Sequence, residues 1–167
     1  MKRPGLNIRR ARRLSRSRAG NAMLEFAIGS GLFVAAFVGT FEFGYAFVQY
    51  NNLESAVERG AHYAAIVPYD SGDCAGTTAS CTSTPSTAFS TAVKNMVLYG
   101  SPTAGTSPVV TGLTASNINL TVIFTNGVPS TMMVDISGYS INAVFATIPL
   151  THKPQVTYNY QGIWSPI

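Results

Sequence analysis

Charge is scarce in this chain, and what there is lies unevenly along it. Asp, Glu, Lys and Arg make up 11% of 167 residues, roughly half the share usual in a soluble globular domain. No acid precedes Glu25, whereas Lys2, Arg3, Arg9, Arg10, Arg12, Arg13, Arg16 and Arg18 crowd the start. From position 21 onward only Arg59, Lys94 and Lys153 stand against all seven acids, a balance of 3 − 7 = −4 with His neutral. The body of the chain therefore has no basic groove for phosphate, and nucleic acid is excluded as a partner. Ser, Thr, Asn and Gly fill the polar positions instead, a composition typical of exported or surface-assembled proteins.

Residues that carry chemistry are equally sparse. There are two His, and the Ser residues sit in no nucleophile elbow; no paired-carboxylate signature and no phosphate-cradling Gly loop is present. An enzyme is not expected, and neither is a cofactor. His62 reads as the solvated face of a helix one turn from Glu58, and His152 beside Lys153 as an exposed loop residue. Only two cysteines occur, Cys74 and Cys81, both in the polar loop DSGDCAGTTASCTSTPS (residues 70–86). Their C-x6-C spacing is unusual for zinc, and both His lie far away in sequence, so a disulfide is expected in preference to a metal site. In an oxidising compartment such a short ring contributes ~2.5 kcal/mol.

What the sequence does have is one long apolar run. FAIGSGLFVAAFVGTF, Phe26 to Phe41, contains no charge, and Leu24–Phe43 supplies the ~20 helical residues that a ~30 Å hydrocarbon core requires. The run exceeds the h-region of about 7–15 residues in an ordinary secretory signal. The basic residues before it hold the N-terminus in the cytoplasm and place the remainder on the opposite side. Phe41, Phe43, Tyr45, Phe47 and Tyr50 gather near the far boundary, as an aromatic belt or as core packing of a long helix. Ala27, Gly31, Ala35 and Gly39 recur every fourth residue, forming a stripe on which another helix can approach closely; Gly and Ala are also common in membrane helices generally.

Two acids interrupt this apolar character. Glu25 follows Gly20 by five positions, at the junction of basic tail and apolar run. In the first turn of a helix it interacts well with the helix dipole in the wet headgroup zone. A cut between Gly20 and Asn21 gives it a second role, because the new α-amine, largely protonated at neutral pH, lies one turn away. The amine of a neighbouring subunit can then neutralise Glu25 inside a helix bundle, where an uncompensated acid costs ~2.5–3.5 kcal/mol. Glu42, roughly 25 Å further along a helix, reads as an interfacial or inter-subunit polar contact.

The stretch RSRAGNAMLEFAI, residues 16–28, resembles the class III signal of type IV pilins and pseudopilins: a basic leader, Gly20 before the cut, Asn21 as the new terminus, Glu25 fifth in the mature chain and the aromatic Phe26 next. FEFGYAFVQYNNLESAVERGAHYAA, residues 41–65, is similar to the Glu-Phe-Gly element and amphipathic helix, with its Arg59-Gly60-Ala61 step, of the TadE-like pseudopilins of the tight adherence (Flp) pilus system. The resemblance is firm over about residues 15–66. It implies processing by a prepilin peptidase, contact with other pilins or pseudopilins and with an inner-membrane pilus assembly platform, and a minor pilus-associated role in assembly and surface adhesion. Longer TadG-like relatives can carry an adhesion-type metal site with an Asp-x-Ser-x-Ser motif. Here Asp135-Ile-Ser137-Gly-Tyr139 has Tyr in the last place, and no metal is expected. The rival reading is a signal-anchored periplasmic binding or adaptor protein that is never processed.

Beyond the apolar run, Leu53, Ala56, Val57, Gly60, Ala61 and Ala64 keep helical spacing, and Pro68 ends the pattern near Val67. The spacing predicts a stalk of about 69 Å from Asn21 to Ile66, with Gly44 or Gly60 as kink points. Ser83-Thr84 before Pro85 predict the cap of a second helix, over about 85–99, which Gly100 stops; Ala88, Ala92, Val93, Met96 and Val97 form its apolar side. Alternation predicts strands through Ile118, Leu120, Val122 and Phe124, through Met132, Val134 and Ile136, and through Val156, Tyr158 and Tyr160, with a turn at Asn126-Gly127. The expected fold class is α+β: a basic cytoplasmic leader (1–20), a transmembrane helix continuing into an amphipathic stalk (21–67), and a small periplasmic pilin-like head with an antiparallel sheet (68–167). The expected setting is the bacterial inner membrane, with membrane lipid around a single pass. Thiol-blocked protein from the periplasmic side should change gel mobility on reduction through Cys74–Cys81; two free thiols would refute that bridge.

Overall fold

The computed structural model describes residues 8–69, 84–143 and 145–163, with backbone alone for 8–19. Cys74 and Cys81 lie outside the described residues. The architecture is α+β, a long N-terminal apolar helix followed by an antiparallel sheet head. Helix α1 runs Ile8–Ile66 and α2 Thr87–Tyr99; a 3-10 turn, Ala115–Asn117, leads into β1 (Ile118–Thr125), β2 (Val128–Ile136), β3 (Tyr139–Asn142), β4 (Thr147–Leu150) and β5 (Gln155–Asn159). The chain divides into two compact units, Met1–Phe43 and Gly44–Ile167.

In the second unit, strands order as β1-β2-β5, all antiparallel, and β3 pairs with β4 in a separate hairpin. β1 and β2 meet through Asn126 (φ 53°) and Gly127 (φ 79°), two left-handed residues whose twist matches that of the strands they join. Alternation sorts the side chains as the sequence predicts. Ile118, Met132, Val134 and Ile136 are buried, with Leu120, Val122, Phe124, Val156, Tyr158 and Tyr160 packed against them. One register shift, between Ile123 and Phe124, leaves Ser130 as the extra residue on β2. Ser130 Oγ donates to the Ile123 carbonyl at 3.0 Å, so the bulge satisfies its own polar atoms.

The other half of this core comes from α1. Leu53, Ala56, Val57, Ala61 and Ala64 are fully buried, and Ala65 nearly so, which is the stripe read from spacing. α1 continues through Gly44 and Gly60. At Gly60 an added Cβ would collide with Val97 Cγ2 and sit 3.5 Å from the Val93 carbonyl oxygen, so α2 crosses α1 where α1 has no side chain.

α2 begins later than its sequence implies. Ser86, not Ser83 or Thr84, is the N-cap, its Oγ accepting from Phe89 N at 3.0 Å. Its buried face is Phe89, Val93, Val97 and Leu98, whereas Ala88 is exposed. Phe89, four residues before Val93 and eight before Val97, takes the core position on that face. Gly100 closes the helix in the left-handed conformation at φ 69°, as expected. The Ser101–Ser116 connection contributes Val110 and Leu113 to the core.

The end of α1 is finished by the segment that follows β5. A helix terminus leaves carbonyls without intrahelical donors. Here Gln161 N and Gly162 N both donate to the Ala65 carbonyl, at 2.8 and 3.0 Å. Tyr160 Oη accepts from Tyr69 N at 2.6 Å, and its hydrogen lies within reach of Val67 O (3.2 Å) and Ile163 O (3.1 Å). Partial burial raises the Tyr160 phenol above the usual tyrosine range, opposed by the Tyr69 backbone bond. The Tyr69 ring meets Phe89 of α2 and Phe124 of β1 edge-on, at 5.3 and 5.7 Å.

The crossing at Gly60 gives a test. Gly60→Ala gains helix propensity of about 1 kcal/mol, but Val97 is β-branched and cannot swing aside, and overpacking costs ~1–3 kcal/mol. The expected result is a lower Tm for the detergent-solubilised protein. In a Val97→Ala background the same substitution should become neutral or stabilising.

Candidate functional site

The apolar half of α1 has the length and composition to cross a membrane, within Gly20–Ile66, and none of its most apolar window is buried by the chain itself. Met23, Leu24, Phe26, Ile28, Leu32, Phe33, Phe37, Phe41 and Phe43 are all exposed. In water such a surface would be a severe aggregation liability; in hydrocarbon it is the required one. The chain is thus that of a membrane-anchored protein.

Apart from the two cysteines, the site residues singled out by the sequence lie on this helix. Gly20 and Asn21 sit within α1 and are exposed, as are Glu25 and Phe26. Ala27, Gly31, Ala35 and Gly39 are exposed as well, and a Cβ added at Gly31 or Gly39 meets nothing within 4 Å. Ser30 and Thr40 turn their hydroxyls back to the Ala27 and Ala36 carbonyls, each at 3.0 Å, which removes two polar groups from the apolar surface. Glu42 is half-buried.

In the head the structure brings together residues that the sequence keeps apart. Asp135, 3% exposed, lies on the face of β2 opposite the core residues Met132, Val134 and Ile136. Its Oδ2 accepts from Asn119 Nδ2 at 2.9 Å and lies 2.8 Å from His152 Nδ1. Asn119 Nδ2 also donates to Ser137 Oγ at 2.8 Å. A buried carboxylate is tolerable only with such partners. His152 is solvent-exposed, as its neighbours imply, yet its ring is held by Asp135, with its backbone at φ 52°. Nearby, Tyr139 Oη donates to the Thr111 carbonyl at 2.9 Å. The network pins the turn before β5 onto the sheet. Among the described residues no three His, Cys, Asp or Glu side chains gather as a metal site would require.

On the other side of the head, Tyr158 Oη donates to Glu58 Oε1 at 3.2 Å, and His62 meets the Tyr158 ring edge-on at 5.7 Å. His62 is therefore docked against β5 and is more than a solvated residue. Ser55, Glu58, Arg59, His62 and Tyr158 outline an open surface depression. Partial burial, then the hydrogen bond to Glu58 and its charge, hold the Tyr158 phenol above the usual range. Sequence reasoning missed Asn119, the Asp135–His152 pair and the Tyr160 clamp. The one available signal was an acid inside the apolar stretch Val134-Asp135-Ile136.

Residues 20–62 match the model of a family described as TadE-like protein. No curated protein and no solved structure matches the chain. The match covers 43 of the 167 residues, all on α1, and is a likeness of that helix to the TadE-like family.

Asp135→Ala removes the buried carboxylate that accepts from Asn119 and pairs with His152, and a hydrogen bond to a charged group contributes ~1.5–3 kcal/mol. Urea unfolding of the detergent-solubilised variant should show that loss. His152→Ala, which removes only an exposed partner, should cost less.

Proposed function

We propose that this chain is a minor pseudopilin of the tight adherence (Flp) pilus, cut by a prepilin peptidase between Gly20 and Asn21 and contributing to pilus assembly and surface adhesion. The observation that carries this reading is the coincidence of the TadE-like match, which begins at Gly20, with a helix whose most apolar stretch is left uncovered among the described residues. Such a helix requires lipid or other helices around it.

The mechanism follows from charge. Before the cut, the basic leader anchors the N-terminus in the cytoplasm and Glu25 stays near the headgroups. After it, Asn21 carries a protonated amine. Glu25 of one subunit pairs with the terminal amine of the next, and the acid enters a packed helix array without its full desolvation cost. Ala27, Gly31, Ala35 and Gly39 allow the backbones to approach, and the open space around Gly31 and Gly39 supports that use. Glu42 supplies a polar contact near the opposite interface. The head, on the periplasmic side of the inner membrane, then presents its surface along or at the end of the assembly.

Mass spectrometry of membrane-extracted protein should find Asn21 at the N-terminus when the peptidase is present and an intact leader when it is absent. A leader retained beside an active peptidase would favour the unprocessed periplasmic adaptor. Glu25→Leu should insert normally yet fail to enter pilus assemblies; normal incorporation would remove the charge-pair mechanism.

A further inference from the structure

We propose that the depression lined by Tyr45, Gln49, Thr111, Tyr139, Ile141 and Asn142 is a binding site for a neutral, hydroxylated ligand the size of one pyranose ring. The inference goes beyond the pilus reading and does not depend on it.

All of the lining lies within the unit Gly44–Ile167. Tyr45 and Gln49 are one turn apart on α1, Thr111 comes from the connection before β1, and Tyr139, Ile141 and Asn142 from β3. None of these stretches brings a charge: residues 43–53, 95–134 and 136–151 contain no Asp, Glu, Lys, Arg or His. A phosphate, carboxylate or ammonium group would leave water there without a counter-ion in the wall, which is costly. The chemistry of the lining therefore selects a neutral ligand. Partial burial, and then the nearby Tyr45, raise the Tyr139 phenol above the usual range, so the lining itself stays uncharged.

Aromatic, amide and hydroxyl groups are what the wall has instead. Tyr139 Oη donates to the Thr111 carbonyl at 2.9 Å, and Gln49 Nε2 donates to Tyr45 Oη at 3.2 Å, so both phenols are held in place before a ligand arrives. Each bond occupies only part of the group that makes it. Asn142 accepts from Thr147 Oγ1 at 3.4 Å through Oδ1 alone. Among the described residues the Tyr45 hydroxyl hydrogen, Gln49 Oε1, Asn142 Nδ2 and the Thr111 hydroxyl engage nothing. Two donors, an acceptor and a hydroxyl that serves as either suit the vicinal hydroxyls of a sugar, which also donate and accept at once. Its C–H face suits the tyrosine rings and Ile141. The depression measures about 140 Å³, space for roughly ten waters. One hexose ring matches that volume, whereas drug-sized ligands take pockets of ~300–1,000 Å³.

Saturation-transfer difference NMR tests this on the full chain in dodecylphosphocholine, a detergent with no sugar of its own. The probes are methyl α-glucopyranoside, methyl α-mannopyranoside and methyl β-galactopyranoside, with cyclohexanol as a ring lacking vicinal hydroxyls. At least one glycoside should receive saturation, and cyclohexanol should not displace it. Asn142→Ala, at an exposed position, should weaken that binding ~2- to 10-fold. Arg59→Ala, in the separate depression beside Tyr158, should leave it unchanged. Thr111→Val, nearly equal in size, gives the same readout should Asn142→Ala misfold. No transfer to any of the three glycosides would overturn the proposal, and so would transfer that Asn142→Ala and Thr111→Val both leave untouched. Displacement by cyclohexanol would mean an apolar site and would overturn it too. In phosphatidylcholine vesicles containing galactosyl diacylglycerol, loss of the glycoside signal assigns the site to a lipid-borne sugar and its persistence to a soluble one; both uphold it.

Discussion

Everything in the head is built on one face of one helix. Leu53, Ala56, Val57, Gly60, Ala61 and Ala64 are mostly small, and that smallness lets α2 and the sheet approach the α1 backbone closely. Larger side chains there would bury more area each but hold the layers apart. With Gly60 under Val97, the head gains tight packing from a position that contributes no side chain of its own. The core of a small domain cannot be thick, and here it is made dense instead.

The same helix carries a second row of small residues, Ala27 to Gly39, at the same four-residue interval, and there the space stays open. The two rows differ in solvent. Where water surrounds the helix, apolar burial drives α2 onto it; where lipid does, that drive vanishes, and only close backbone contact with another helix gives a reason to associate. A single periodic pattern thus serves folding in one part of α1 and suits assembly in the other.

Local patterns were legible in the sequence, and long-range pairings were not. β1, β2 and β5 showed because one face of each is buried, which imposes alternation, and Asn126-Gly127 marked the turn. The β3–β4 hairpin escaped notice because its strands have four residues each and Thr147-Ile-Pro-Leu does not alternate. Ser83-Thr84-Pro85 imitated a cap that Ser86 supplies, and Ala88 was read into the apolar side where Phe89 is buried. Asp135 and His152, seventeen residues apart, are joined only by the course of the turn before β5, which no periodicity encodes.

The clamp of Tyr160, Gln161 and Gly162 on the last turn of α1 has a consequence for how the head opens. It joins groups 91 residues apart, so the end of the first helix and the segment after β5 share their hydrogen bonds. Should either come loose, the Ala65 carbonyl and the Tyr69 amide turn to water, and fraying at one place is felt at the other.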